Sequence, residues 1–365
     1  MGIDTENYLT KSIDISFKNT TSFEEDAREA RYKALRQLCD LHDIEHIFLA
    51  HHLDDQLETF IMRLFGNSGI FGLCAMDWKS KLSVGVSPLK LNLVRPMLEI
   101  NKNEIYQYCI ENKIEWVQDF TNFEEINKRN LIRKYLNANP ILKSEVRSEF
   151  AKVRKLTTYI DSQVNRLHSY LVESSMIIAN ESRVSILLTK QQIEENSEHV
   201  IARLLFKLLF PFSPSKNYHY SFNKILHSIP KLNRDTSFSL LQLQWNVKHA
   251  DGLIQLEVKR QNLKDPVTTN VEIAKGESTD WFLFDNRFWF KIRNATNIDQ
   301  NLTVRTLMKN DKALFEKIPK GFKYSSYANL PVLIDNNTAK IISLPMASPT
   351  DDIQWKLKEN IYSFE

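Results

Sequence analysis

Apolar and polar positions along this chain follow three successive rhythms. Through residues 1–140, strand-like and helix-like periods alternate. "NYLTKSIDISF" is patterned as a strand. "TSFEEDAREARYKALRQLCDLHDI" follows with helical spacing, its apolar stripe formed by Ala27, Ala30, Ala34, Leu38 and Leu41 and its start marked by a Ser22–Glu25 capping box. "IEHIFLA" predicts a buried strand, "SVGVSPL" and "LVRPML" further extended segments, and "NKNEIYQYCIENKI" a helix capped by Asn101 with Glu104. This β-α-β-α order predicts an α/β domain built on a parallel sheet. Residues 141–235 are mainly helical in pattern, "VIARLLFKLLF" most strongly. Residues 236–365 turn to strands. "SFSLLQLQWNVKHADGLIQLEVK" predicts a hairpin around Asp251-Gly252, and "DWFLFDNRFWFKI" and "LPVLIDNNTAKIISLP" have the same character. Three domains are therefore expected: α/β, helical and β-rich.

Composition narrows the class. Of the 365 residues, 42% are hydrophobic and 25% charged, which is enough for globular cores. The net charge of +3 permits a nucleic-acid partner without requiring one. Cys39, Cys74 and Cys109 stand far apart, which argues against a disulfide framework or a structural zinc site and for a reducing compartment. No apolar run approaches membrane-spanning length, so no membrane partner is expected.

The densest chemistry lies in "HHLDDQLETF", residues 51–60. On a helix beginning near His51, the side chains of His51, Asp54, Asp55 and Glu58 fall close to one face, with Thr59 beside it and Arg63 a turn further. The stretch follows a buried strand, and ligands bind at that carboxyl edge in open α/β sheets. Paired carboxylates there suit Mg²⁺, held by a few protein oxygens together with substrate phosphates; Asp54 and Asp55 are the candidates. A solvated acidic helix face is the plain alternative, and zinc a poorer one. Arg28 and Arg31 lie one turn apart in "AREARY", and Arg95 precedes a proline in "VRPML". Guanidinium groups pair with phosphate, although each could equally form a surface salt bridge. "GNSGIFG" has glycines at dinucleotide-like spacing but follows a helix, so it is read as a helix end and tight loop.

A third feature is the basic run in "QDFTNFEEINKRNLIRKYL". It carries Lys128, Arg129, Arg133 and Lys134 and continues with Lys143, Arg147, Lys152, Arg154 and Lys155 against only Glu145 and Glu149. Such a concentration suits a phosphodiester backbone, with a solvated basic helix as the alternative.

"AREARYKAL", "AHHLDDQLETFIMRLFGNSGIFGL", "VRPML" and "WVQDFTNFEEINKRNLIRKYL", in this order and spacing, resemble the tRNA(Ile)-lysidine synthetase family of the N-type ATP pyrophosphatases, or PP-loop proteins. The match is specific to about residue 136 and weaker beyond, through "VRTLMKND" and "ISLP"; Ala50 stands where the family usually has Gly. The resemblance implies an ATP-dependent carbon–nitrogen ligase that modifies tRNA. ATP adenylates C2 of the wobble cytidine of tRNA(Ile) with a CAU anticodon, and the L-lysine ε-amine then displaces AMP. It implies ATP and Mg²⁺ as cofactors and permits a homodimer. By the same resemblance Asp55 and Glu58 orient or deprotonate the lysine amine, and Arg28 and Arg95 stabilise phosphate charge. His51, His52, Asp54, Thr59 and Arg31 would shape the ATP and substrate pocket. Lys128, Arg129, Asn130, Arg133 and Lys134 would contact tRNA or join the domains.

The family's "SGGxDS" phosphate loop has no counterpart here, and Met1 aligns with a point inside the catalytic domain. On this basis the α/β domain is expected to be an incomplete parallel-sheet ATP pyrophosphatase domain, damaged at its first strands and inactive alone. The competing expectation is a non-catalytic tRNA-binding relative that kept the scaffold. The compartment expected is bacterial cytoplasm or, for a eukaryotic host, the mitochondrion.

Overall fold

A computed structural model describes residues 8–13, 23–82, 91–117, 128–213, 221–261, 265–315, 324–346 and 351–357. The chain divides into two compact units, Met1–Thr157 and Thr158–Glu365.

The first unit holds helices α1 (Phe23–Leu41), α2 (Leu53–Phe65), α3 (Ile70–Leu73), α4 (Lys102–Glu111), α5 (Lys128–Ala138) and the first half of α6 (Pro140–Glu173). Its sheet contains β1 (His46–Phe48), β2 (Lys79–Lys81) and β3 (Asn92–Val94), in the order β1-β3-β2. The β1–β3 pair is parallel, as the alternating pattern predicts, and β2 adds an antiparallel edge. Residues 8–13 of "NYLTKSIDISF" form no strand, contrary to expectation, and are exposed; a strand needs a neighbour for its backbone groups, and they pair with no described strand. "SVGVSPL" and the Ser22–Glu25 cap lie outside the described residues.

Helix α1 packs on the sheet through Tyr32, Leu35 and Cys39, which meet Leu82, Leu91 and Leu93. The buried stripe is thus rotated from the expected one: Ala34 is inside, but Leu41 is 74% exposed. Aromatic and aliphatic bulk, rather than alanine, sets which face turns inward. A second core joins Leu57 and Phe60 of α2 to Leu136 of α5 and Phe150 of α6. Phe60 and Phe150 meet edge to face with centroids 5.6 Å apart.

In the second unit, α7 (Lys190–Glu195), α8 (Glu198–Leu209) and α9 (Phe222–Leu226) accompany a five-stranded antiparallel sheet. Its strands are β4 (Ile177–Ala179), β5 (Arg183–Thr189), β6 (Thr236–Leu240), β7 (Leu243–Ala250) and β8 (Leu253–Arg260), in the order β4-β5-β8-β7-β6. The Asp251-Gly252 hairpin is present, both residues at positive φ. Leu241 and Gln242 make a second such turn without glycine, so one expected hairpin is a three-stranded meander. Strands β4 and β5 arise inside the zone with mainly helical pattern; β4 pairs with β5, and β5 pairs with β8.

The remaining strands are β9 (Thr268–Ile273), β10 (Phe282–Phe284), β11 (Phe288–Ile292), β12 (Gln300–Thr306), β13 (Pro331–Asp335), β14 (Lys340–Ser343) and β15 (Ile353–Leu357). They form a four-stranded sheet, β14-β13-β12-β9, and a three-stranded sheet, β10-β11-β15. Both sheets contribute to one core containing Val271, Phe284, Phe288, Phe290, Val304 and Leu333. Within "VRTLMKND", Arg305 holds Asp311 through two 2.7 Å bonds, and Asp311 accepts the Met308 N–H at 2.6 Å. Among the described residues no helix is long and apolar enough to cross a membrane.

Candidate functional site

The site is built around the first turns of α2. His52 is its extended N-cap residue, and the Asp55 carboxylate accepts the His52 backbone N–H at 3.0 Å. This is half of a capping box and fixes where the helix begins. The Leu53 N–H donates to the Ile100 carbonyl at 3.0 Å, tying this start to the segment after β3. Asp54 and Asp55 in the first turn also complement the positive end of the helix dipole.

Each of the three carboxylates has a cationic partner. Glu58, only 2% exposed at its side chain, accepts from Arg129 Nε at 2.8 Å and from Arg133 Nε at 2.6 Å. Arg133 Nη2 adds a bond at 3.1 Å, and Arg129 Nη2 reaches Asp55 at 3.3 Å. The two arginines are four apart on α5 and so project from the same face. The Glu58 hydrogen bond, ahead of the opposing effect of burial, holds the Arg133 guanidinium above its ordinary pKa. Lys143, near the start of α6, meets Asp54 at 2.7 Å.

His51 gathers the rest of the site. Burial lowers its pKa most; Asp55 opposes this, while the positive fields of Arg95, Arg129 and Arg28 add to it. The imidazole therefore favours its neutral form. Arg95 is 5% exposed, and its Nη1 donates to the Asp77 carbonyl at 2.9 Å and to Ser80 Oγ at 3.0 Å. Desolvation lowers its pKa, with Tyr32 opposing and Arg28 adding to the effect. Arg95 Nε, His51 Nδ1 and His52 Nδ1 are buried without hydrogen-bond partners in the protein. Buried unpaired polar atoms are costly, and three of them in one locality mark a place where a polar ligand can be received. Arg28 and Arg31 are exposed and lie 5.5 and 5.8 Å from the Tyr32 ring.

The expected site residues thus divide. Asp54, Asp55, Glu58, His51, His52, Arg28 and Arg95 belong to this region. Thr59 turns its hydroxyl back to the Asp55 carbonyl at 2.7 Å, which takes up its donor in the helix itself. Arg129 and Arg133, expected to contact tRNA or join domains, instead close on the acidic face. Asn130 is buried, whereas Lys128 and Lys134 are exposed on α5. Asp119 and Asn122 of the basic segment's start lie outside the described residues.

Pattern reading missed the clamp on the glycine loop. Arg63 donates to the Gly72 and Ala75 carbonyls at 2.5 and 2.7 Å. Gln56 exchanges two 2.8 Å bonds with the Met76 backbone, and Arg154 reaches the Cys74 and Met76 carbonyls at 3.3 and 3.2 Å. "GNSGIFG" is therefore a helix end, a tight loop and the short α3, as its context test requires. The available signal was Gln56 and Arg63 on the α2 face beside the loop.

A metal fits poorly in this arrangement. Among the described residues, no three His, Cys, Asp or Glu side chains gather at one point. Asp54 and Asp55 supply two carboxylates, but Lys143 and Arg129 stand where a cation would be drawn.

A helix N-terminus rich in carboxylates at a parallel strand's carboxyl edge, faced by the buried Arg95 and the half-buried Arg129 and Arg133, has the form of a nucleotide-handling α/β domain. Residues 5–139 match the PP-loop domain family ATP_bind_3, a domain that uses ATP. The chain is 27% identical over 353 residues to the probable tRNA(Ile)-lysidine synthase of Schizosaccharomyces pombe, covering 89% of this chain and 74% of the relative. It is 28% identical over 299 residues to the tRNA(Ile)-lysidine synthase of Wolbachia sp. subsp. Brugia malayi, covering 81% and 64%. It is 27% identical over 348 residues to that of Clostridium perfringens, covering 93% and 70%. Over most of its length the chain is thus similar to tRNA(Ile)-lysidine synthases, and its residues 5–139 carry a PP-loop domain.

Proposed function

We propose that this protein ligates L-lysine to C2 of the wobble cytidine of tRNA(Ile) with a CAU anticodon, at the expense of ATP. In the first step the cytidine C2 oxygen attacks the α-phosphorus of ATP and pyrophosphate leaves. In the second, the lysine ε-amine attacks C2, loses a proton, and AMP departs with the oxygen. The observation that carries this reading is the group of buried, unpaired polar atoms on His51, His52 and Arg95, beside which Asp55 and the charges of Arg95, Arg129 and Arg28 act on the half-buried His51. Fixed positive charge there suits the developing negative charge of phosphoryl transfer. Arg28 is exposed and free to follow a phosphate, whereas Arg95 is fixed by Asp77 and Ser80. Asp55 is the better proton acceptor for the lysine amine, because its side chain is 14% exposed against 2% for Glu58 and Arg129 reaches it only at 3.3 Å, whereas Glu58 takes three guanidinium bonds of 2.6–3.1 Å. Glu58 then acts by positioning α5. His52 and Asp54 border the pocket, and Arg31 supports its rim.

Mg²⁺ accompanies ATP as the counter-ion of its phosphates. Asp54 and Asp55 would have to exchange Lys143 and Arg129 for the metal, so no step is assigned to it here. Lysine, tRNA and ATP meet in the reducing, tRNA-containing compartment of the host. A homodimer is compatible with this chemistry and is not needed for it.

The test is the modification itself. When the gene is depleted, tRNA(Ile) isolated from the host should lose lysidine at the wobble position, read by mass spectrometry of nucleoside digests. Undiminished lysidine would refute the proposal. A second reading is favoured by one observation, that Asp54, Asp55 and Glu58 are all paired with internal cations. A non-catalytic tRNA-binding relative would bind tRNA(Ile) without lysine- and tRNA-dependent release of pyrophosphate.

A further inference from the structure

Beside Asp54 lies a cavity of about 310 Å³, lined among others by Lys102, Asn103, Lys143, Ser144 and Arg147. Two carboxylates, Asp54 and Glu104, also border it, so its lining carries three cations against two anions. Both anions are already engaged: Asp54 by Lys143 at 2.7 Å, and Glu104 by the Asn101 side chain. Among the described residues neither Lys102 nor Arg147 has a carboxylate partner. Lys102 rests over the Tyr106 ring at 5.4 Å, and Arg147 is exposed.

The lining therefore offers a guanidinium, two ammonium groups, a hydroxyl and an amide around a space that accommodates one tetrahedral anion and part of its substituents. Guanidinium and ammonium groups with a neighbouring hydroxyl are the donors that phosphate oxygens accept. Because Asn101 turns its side chain to Glu104, no side chain caps the first turn of α4, and its backbone donors add to the same positive field.

We propose that this cavity seats one phosphodiester group of the tRNA, held by Arg147, Lys102 and Ser144. This rests on the tRNA reading above and adds a docking point that the basic run alone does not reveal. The run's central arginines, Arg129 and Arg133, are spent on Glu58, while Arg147 and Lys102, on different elements, remain available. Lys143 links the two sites. It lines the cavity and binds Asp54, so a phosphate seated there competes with Asp54 for the ammonium. RNA docking would then loosen one of the three carboxylates of the α2 face.

The experiment compares the unaltered chain with the double variant Lys102→Gln/Arg147→Gln. Both are assayed for tRNA(Ile) binding across a salt titration and by phosphate-ethylation interference. Circular dichroism and thermal melting control for folding. The variant should bind roughly fivefold more weakly. Its log–log salt slope should fall by about one. Interference should vanish at one backbone position and persist elsewhere. Binding with unchanged slope and interference pattern would overturn the cavity assignment while leaving the tRNA reading intact. No tRNA binding by the unaltered chain would overturn both. Loss of ATP affinity in the double variant, with tRNA binding retained, would assign the phosphate to a nucleotide and reject RNA.

Discussion

In the first unit Arg129 and Arg133 converge on Glu58; in the second, Arg260 and Arg287 converge on Asp285. The chemistry is the same, a carboxylate gripped by two guanidinium groups, but the surroundings differ. The Arg129 and Arg133 side chains are 23% and 24% exposed, and Asp55 supplies a second negative charge. Arg260, Asp285 and Arg287 are 4%, 3% and 2% exposed, with two positive charges against one negative. Burial pushes the Arg287 pKa down to about 10, although Asp285 opposes the shift. Its remaining donors are used locally, Nη2 on the Asn329 carbonyl at 2.7 Å, and its plane lies 4.7 Å from the Phe288 ring. The sealed cluster ties the end of β8 to the β10–β11 turn and to the segment before β13. The half-open one sits beside three unpaired polar atoms, on His51, His52 and Arg95, against the single Arg260 Nε of the sealed cluster, and shares Asp55 with the capping of α2. Stability and chemistry thus use the same ion pairs, distinguished by water access and by what lies beside them.

The strongest way to break this comparison is Asp285→Asn. It removes the carboxylate that, among the described residues, is the one paired with two buried guanidinium groups, and should cost about 3–5 kcal/mol in urea unfolding. Hydrogen exchange should accelerate across β10, β11 and the end of β8. A loss below about 1 kcal/mol would mean that water reaches this cluster as it does the other.

Glu58→Gln should cost less, about 1–3 kcal/mol, because Arg129 and Arg133 keep Asp55 and partial hydration. Exchange protection should fall mainly in α5, and lysidine formation should fall more steeply than stability. A stability loss equal to that of Asp285→Asn would erase the distinction between the clusters.

The pair at Asp54 should be weaker again. Lys143 is 27% exposed and Asp54 13%, so a double-mutant cycle with Lys143→Met and Asp54→Asn should yield at most about 1 kcal/mol of coupling. A coupling of several kcal/mol would place Lys143 among the structural cations and argue against its exchange between Asp54 and an RNA phosphate.

These contrasts also mark what the sequence could disclose. The acidic face of α2 was legible because its residues are local and helical periodicity places them together. Its partners were not, since Glu58 and Arg133 are 75 residues apart and a run of basic residues carries no direction. The same run reads as an RNA surface from its charge alone, yet Arg129 and Arg133 point inward while Lys134 is exposed. The Asp285 cluster gave only one hint, a charged Asp285–Arg287 step inside an aromatic run, which doubles as a hairpin turn. Strand β5, and β4 that pairs with it, were hidden because the partner that joins β5 to the sheet, β8, lies about seventy residues later. The Asp251-Gly252 turn was visible because glycine announces a positive φ; the Leu241-Gln242 turn takes the same conformation with residues that do not.

The smallest expected effect concerns pH. Burial, with Arg95, Arg129 and Arg28, holds His51 below its ordinary value near 6.5, against the opposing pull of Asp55. The unfolded chain then binds a proton more readily than the folded one. This contribution to stability is fully present above about pH 6.5 and is lost as pH falls through the lower folded-state value. In an NMR titration the His51 ring should be less than half protonated at a pH where an unperturbed histidine is half protonated. Arg129→Gln and Arg28→Gln should each raise the midpoint, Arg129→Gln by more, since its field on His51 is the stronger. His51→Gln should remove this acid-side slope from the stability curve. A midpoint at or above 6.5 would show that Asp55 outweighs burial and the arginines together, making His51 a cation within the acidic cluster instead of a neutral group among positive charges.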